Sequence, residues 1–327
     1  MTQQSAHLHY STLNEAFSLQ PRHSVSRVEE YAEEHSVVFF LLKGMVEGPT
    51  LWVQAGLHGD EYDGILTCLR LMEQLPLDRL RGDVVICPIV NVSAYQAGTN
   101  ESPIDSVNLN RVFGQDRSNT YSYRFGAWLA QRIIASADFL VDLHGGGKSL
   151  AVCPFAMVAG DNREAYNTAL DALADTDLTA VYICDFQSKG MLINEVCRSG
   201  VPAVLLESGG GMSWREADVQ RHEKSVYAIL VRLHLLEDPR PEQKGKPAPL
   251  VISKIQELRF DRSGLQRSQA QAGSIVHRGE TIIEVASYPD YETRKLICPV
   301  DKAIILSIHS AAQVIENGYA AMLGIIE

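Results

Sequence analysis

The chain has 327 residues, with 29 Lys and Arg against 40 Asp and Glu, a formal net charge of −11 at pH 7. That balance excludes a general nucleic-acid binder, which needs a basic face, although a locally basic pocket for an acidic substrate remains compatible with it. A hydrophobic share of 46% and a charged share of 21% suit a globular protein large enough for one main domain and a smaller one, and no apolar stretch approaches the roughly 20 residues that span a bilayer.

The N-terminal stretch MTQQSAHLHYSTLNEAF has no basic segment followed by an apolar one, so no secretory signal is expected. Cys68, Cys87, Cys153, Cys184, Cys197 and Cys298 are scattered, mostly inside apolar runs, and form no CxxC pair. They read as reduced core residues of a cytoplasmic protein.

From about residue 36 the pattern alternates strands with helices. Apolar runs predict strands at 37–42 and 50–55, and helical spacing predicts a helix over 62–75. A strand at 83–90, a helix at 121–136 and a strand at 139–143 follow. Next come a helix at 161–174, a strand at 203–206 and a long amphipathic helix at 214–236. Short unbroken apolar strands between helices indicate a sheet covered on both faces, hence an α/β fold. Residues 237–249 are polar and rich in proline, and the linker proper is placed at 241–249. Short β-type runs at 281–286, 303–309 and 321–326 then predict a small all-β module. The expected division is a catalytic domain over 1–240 and a small β domain over 250–327.

Three predicted strand ends carry residues that coordinate metals or move protons: His58-Gly59-Asp60-Glu61, Asp142-Leu143-His144 followed by three glycines, and Glu207-Ser208 followed by Gly209, Gly210 and Gly211. Ligand sites of open α/β sheets lie outside the carboxyl ends of strands. A zinc hydrolase needs three protein ligands and an open position for water, and two histidines with one glutamate is a known set. His58 and Glu61, three apart in a turn that opens a helix, can face one side, and His144 can complete the set. Glu207 is the candidate general base, with the glycines after it allowing close approach of backbone and substrate. Asp142, two residues before His144 on an extended stretch, points the same way and is a candidate to hold the site in shape from outside. Each motif alone has a bland reading: a solvated loop histidine, a strand-end cap, an exposed acid. Their joint placement at strand ends favours the metal site.

Between the first two clusters lie Asn91-Val92-Ser93-Ala94-Tyr95 and Ser102-Pro103-Ile104-Asp105-Ser106-Val107-Asn108-Leu109-Asn110-Arg111. With Gly48-Pro49-Thr50 through Gly64, these resemble the succinylglutamate desuccinylase/aspartoacylase family of the zinc carboxypeptidase superfamily, over roughly residues 45 to 235. The resemblance implies a mixed sheet with helices on both faces, one zinc ion per chain held by His58, Glu61 and His144, and Glu207 as general base. It also implies that Asn110 and Arg111 grip a substrate carboxylate, a task suited to the arginine fork. One departure stands out. Where relatives carry an arginine thought to polarise the scissile carbonyl, this chain has Asn100. Oxyanion stabilisation is worth roughly 3–4 kcal/mol per donor, and Asn100 brings a neutral donor only.

The tail resembles a biotinyl/lipoyl-type barrel, yet Lys302 in Asp301-Lys302-Ala303 falls one strand too late to carry a cofactor. A barrel without attached cofactor, bordering the mouth of the active site, is expected. The leading expectation is hydrolysis of the amide bond of a small N-acylated amino acid or amine. The alternatives are a cytoplasmic zinc carboxypeptidase or amidase on small peptides, or a metal- or ligand-binding relative of impaired activity. The expected partners are a small-molecule N-acyl substrate, neither nucleic acid nor membrane, and a second copy in a homodimer.

Overall fold

The computed structural model describes residues 8–115, 119–184, 190–211, 213–237 and 248–326. Most of the predicted linker lies outside these residues. The chain opens with β1 (Leu8–Tyr10), α1 (Leu13–Leu19) and a hairpin of β2 (Ser24–Ala32) and β3 (His35–Lys43). Then follow β4 (Val46–Ala55), α2 (Tyr62–Gln74), β5 (Arg81–Cys87) and the short α3 (Val92–Ala97). Asn91 caps α3 by accepting from the Ala94 amide, and Gly98 ends it at φ 60°, a conformation that favours glycine. The central part continues with α4 (Tyr121–Ser136), β6 (Phe139–His144), β7 (Leu150–Ala159), α5 (Arg163–Ala172), β8 (Ala180–Cys184), α6 (Leu192–Arg198), β9 (Ala203–Gly210) and α7 (Glu216–Arg232). The C-terminal region holds β10 (Leu250–Ile252), β11 (Ile255–Arg259), β12 (Gly264–Ser268), β13 (Ile275–His277), β14 (Thr281–Ala286), β15 (Thr293–Ile297), β16 (Lys302–His309), β17 (Gln313–Val314) and β18 (Tyr319–Ile325).

These strands build a mixed α/β fold with a C-terminal β region. One sheet runs β1-β2-β3-β5-β4-β6-β9-β7-β16-β18-β11, with β8, β10 and β13 branching from it. Its centre, β5-β4-β6-β9, is parallel. Along each central strand, side chains alternate between two cores, as the two-residue period of a strand requires. Leu51, Val53, Val84, Ile86, Val141, Leu143, Val204 and Leu206 face α2, α5 and α7 on one side. Trp52, Val85, Leu140 and Leu205 face α1, α4 and α6 on the other. Helices therefore cover both faces.

The same alternation positions the site. Gln54 follows Trp52 on its face, Asp142 and His144 follow Leu140, and Glu207 follows Leu205. Register then brings them together, because Gln54 is the Cα partner of Asp142 and His144 the partner of Glu207. Glu207 differs from its expectation in one respect. It lies inside β9, which runs on to Gly210 by pairing with β7, rather than at a strand end.

The tail is hydrogen-bonded into this sheet. Ser307, Ile308 and His309 of β16 pair with Val152, Ala151 and Leu150 of β7, and β10 pairs with β8. A second sheet, β15-β14-β12-β17, closes over a small core that includes Phe260, Ile282, Val285 and Ile305. Lys302 begins β16, paired with His277. All six cysteines are buried and free. Among the described residues no helix is long and apolar enough to cross a membrane.

Candidate metal centre

After β4 the chain turns through Gly56 to Asp60 and enters α2 with Glu61 at the N-cap position. His58 and Glu61 thus stand on one turn, and their side chains meet: His58 Nδ1 lies 2.8 Å from Glu61 Oε1. His144, the last residue of β6, presents its Nδ1 at 2.9 Å from Glu61 Oε2. One ligand atom from each of the three residues lies within 4.8 Å of the others, and all three residues are buried. The two imidazole rings meet edge to face, 4.9 Å between centroids.

The outer nitrogens are held as well. His144 Nε2 lies 3.0 Å from Asp142 Oδ2, and Asp142 Oδ1 accepts from Gln54 Nε2 at 3.0 Å. Gln54 Oε1 in turn accepts from Trp52 Nε1 at 3.0 Å. His58 Nε2 lies 3.1 Å from Asn108 Oδ1. Each imidazole therefore directs Nδ1 inward and secures Nε2 outside, the arrangement that fixes the tautomer of a ligating histidine. Gly145 N donates to Glu61 Oε2 at 3.1 Å, and His222 Nε2 lies 3.1 Å from the His144 carbonyl.

Electrostatics agree with a site for a cation. Burial disfavours a charged His144, yet the carboxylates of Asp142 and Glu61 on its two sides prevail and raise its pKa well above the usual value. Burial likewise works against an ionised Glu61, but His58 and His144 hold it below the usual carboxylate range. Glu207 is pushed well above that range, first by burial and then by the charge of Glu61. Its Oε2 is buried without a hydrogen-bond partner. Two nitrogen donors and one oxygen donor, with an unpartnered carboxylate oxygen lining the same cavity, suit a divalent ion of borderline hardness.

All three residues line one chamber, and Glu61 borders a second as well. One, of about 440 Å3, is lined by His58, His144, Glu207, Asn110, Arg111 and, from the tail, Glu257 among others. The other, of about 660 Å3, runs past Asp60, Lys148, Phe260 and His309. Glu61, Asn100, Gly145, Leu150 and Tyr319 border both. The C-terminal β region therefore walls the site.

His58, Glu61, His144, Glu207, Asn100, Asn110 and Arg111 line one chamber, with Asp142 behind His144. Asn110 is buried, and its Oδ1 accepts from Leu192 N at 2.9 Å. Arg111 is exposed to the chamber; its NH1 donates to the Asn110 carbonyl at 2.8 Å. Asn100 lines the site and accepts from Asn108 Nδ2 at 2.8 Å. The glycines after Glu207 admit close approach of neighbouring groups, as expected for the backbone. A Cβ at Gly209 would meet the Asp63 carboxylate and one at Gly210 the Leu150 carbonyl, so both positions need glycine for packing. Sequence reading missed Asn108, whose Oδ1 both caps Asn110 N at 2.8 Å and faces His58. An Asn opening a one-turn helix was the available signal. It also missed Glu257, Ser307 and Tyr319, which reach the site only through the fold.

Fold and site together define an α/β protein with a candidate mononuclear metal centre at the carboxyl ends of its parallel strands. A family model of the succinylglutamate desuccinylase/aspartoacylase catalytic domain matches residues 47–233, and the chain belongs to that family, whose namesakes are deacylating hydrolases. It is similar to the N-alpha-acetyl-L-2,4-diaminobutyric acid deacetylase of Halomonas elongata, 29% identical over 261 residues, 78% of this chain and 74% of the relative. In fold it resembles the product-bound ectoine utilization protein EutE (DoeB) of Ruegeria pomeroyi, with a TM-score of 0.81, 20% identity, and 92% and 95% of the two chains covered. It also resembles a succinylglutamate desuccinylase/aspartoacylase of Rhodobacter sphaeroides, with a TM-score of 0.78, 23% identity and 90% of each chain covered.

Proposed function

We propose that this protein hydrolyses the amide bond of small N-acyl amino acids at one zinc ion per chain, held by His58, Glu61 and His144. When bound, such an ion polarises the acyl carbonyl and acidifies a water. Glu207, which lines the chamber beside the proposed ligands, takes up the proton and delivers it to the leaving nitrogen. Arg111 and Asn110 hold the substrate carboxylate, the arginine through the guanidinium N–H groups that the Asn110 carbonyl does not take. Asp142 and Asn108 keep the two imidazoles turned inward. Asn100 offers a neutral hydrogen bond to the acyl oxygen, so the cation supplies most of the electrostatic stabilisation there.

The observation that carries the reading is the convergence of two imidazoles and a carboxylate, far apart in sequence, beside an unpartnered glutamate oxygen. Family membership and the named activity of the Halomonas relative support amide hydrolysis. Six buried free cysteines support a reducing, cytoplasmic setting. The test is elemental analysis joined to an amine-release assay on N-acetyl, N-succinyl and dipeptide substrates. About one zinc per chain, lost in His144→Ala, and release from N-acyl amino acids are expected. A native protein free of metal overturns the zinc assignment, and cleavage of dipeptides alone overturns the deacylase reading.

A further inference from the structure

The chamber beside the metal-ligand cluster has a largely apolar wall that strand register fixes in place. Phe155 of β7 is the Cα partner of Glu207, and Met157 is the partner of Leu205 on β9 and of Tyr182 on β8. Partners of this kind share a sheet face, and all of these side chains line the chamber. Phe155, Tyr182 and Leu205 are buried, whereas Met157 keeps part of its surface open. Met191 continues the wall toward the proposed carboxylate clamp, since the next residue, Leu192, donates its amide to Asn110 Oδ1 at 2.9 Å. The wall therefore runs between the proposed base and the residues proposed to hold the substrate carboxylate.

We propose that this wall receives the side chain of the amino acid that is released, so that the preferred class is N-acyl amino acids with an apolar side chain. The inference rests on the deacylase reading above and narrows it. Glu207 serves the leaving nitrogen and Arg111 the carboxylate, and the side chain branches from the one carbon that joins them. It comes to rest against the surface adjoining both, which is that of Phe155, Met157, Leu205 and Met191. Each methylene laid there gains by leaving water. A second carboxylate would give up its water to thioether and phenyl groups, and Arg111, already engaged, is the sole Lys or Arg among the described lining residues. A second amine would meet the same loss, and Glu257, the acid that the tail brings to the chamber, is paired with Arg259.

The experiment measures kcat/KM of the metal-loaded full chain on the Nα-acetyl derivatives of alanine, norvaline, aspartate and 2,4-diaminobutyrate. Calorimetric binding of free norvaline and free aspartate accompanies it. N-acetylnorvaline should exceed N-acetylalanine by about fourfold for each added methylene, and should exceed both charged substrates as well. Met157→Gln, close to the native side chain in shape, should lower the ratio of norvaline to alanine turnover about fourfold and weaken norvaline binding in parallel. Should that variant fail to fold, Met157→Ala removes the same surface and is read by the same ratio. An equal loss on both substrates marks a structural role and overturns the proposal. So does a preference of the native chain for the aspartate or diaminobutyrate derivative. If no N-acyl amino acid is cleaved, the deacylase reading fails and this inference with it, whereas cleavage without a gain from alanine to norvaline leaves that reading standing and removes this one.

Discussion

Asp142→Asn is the sharpest probe of the centre, because it changes one atom in a fully buried chain of hydrogen bonds. Asp142 is 0% exposed. Its Oδ1 accepts from Gln54 Nε2 and its Oδ2 lies against His144 Nε2, each at 3.0 Å. Gln54 cannot turn its amide over, since its Oε1 accepts from Trp52 Nε1. An asparagine therefore has two orientations, both poor. With its NH2 toward Gln54, two donors face each other in the core and one goes unpaired. With its NH2 toward His144, Nε2 must become an acceptor, which moves the ring proton to Nδ1, the nitrogen turned toward Glu61. The first outcome costs about 1–3 kcal/mol of stability. The second blocks a ligand atom, and loss of such an outer partner lowers metal affinity about 10- to 100-fold, or about 1.4–2.8 kcal/mol. The assay is zinc competition against a chromophoric chelator, with thermal unfolding of the same variant recorded alongside. Wild-type zinc affinity together with an unchanged melting temperature would refute the argument, since one orientation or the other must carry a cost.

Glu207→Gln should retain zinc in elemental analysis while amide hydrolysis disappears from the release assay; full turnover removes Glu207 as the proton carrier. Arg111→Ala should raise KM for carboxylate-bearing substrates about tenfold or more, the loss of a charged hydrogen-bond pair, and unchanged kinetics would end its role as clamp. Gly146→Ala should destabilise the fold by about 1–3 kcal/mol, because the new Cβ would stand 2.1 Å from the Leu150 carbonyl oxygen. An unchanged denaturant midpoint would show that the β6–β7 loop yields at no cost.

The parts of this protein legible in its sequence are those set by short periods. His58 and Glu61 share a turn, Asp142 and His144 share a strand face, and α4 spans the predicted 121–136 because Tyr121, Phe125, Leu129 and Ile133 recur at helical spacing. What escaped reading depends on tertiary context. β7 contains Pro154, which lacks a donor and argues against a central strand. The ladder with β9 accommodates it by a register shift between Val152 and Phe155. β2 mixes polar and apolar residues on both faces, with Ser26 and Glu30 on the buried one, so no two-residue period marks it in the sequence. Glu257 gives no local signal, being one exposed acid in a short polar strand.

The tail does more than cover an opening. β7 lies between β9, which carries Glu207, and β16. The strand that fixes the proposed base is thus itself fixed by the C-terminal region through Leu150, Ala151 and Val152. The same region supplies Glu257, Ser307 and Tyr319 to the chamber wall. The proposed metal ligands come from loops and strand ends of the parallel centre, whereas Glu257, Ser307 and Tyr319 come from β11, β16 and β18. Glu257, four-tenths exposed, takes no part in the buried hydrogen bonds that orient His58 and His144, so a change there leaves those bonds in place.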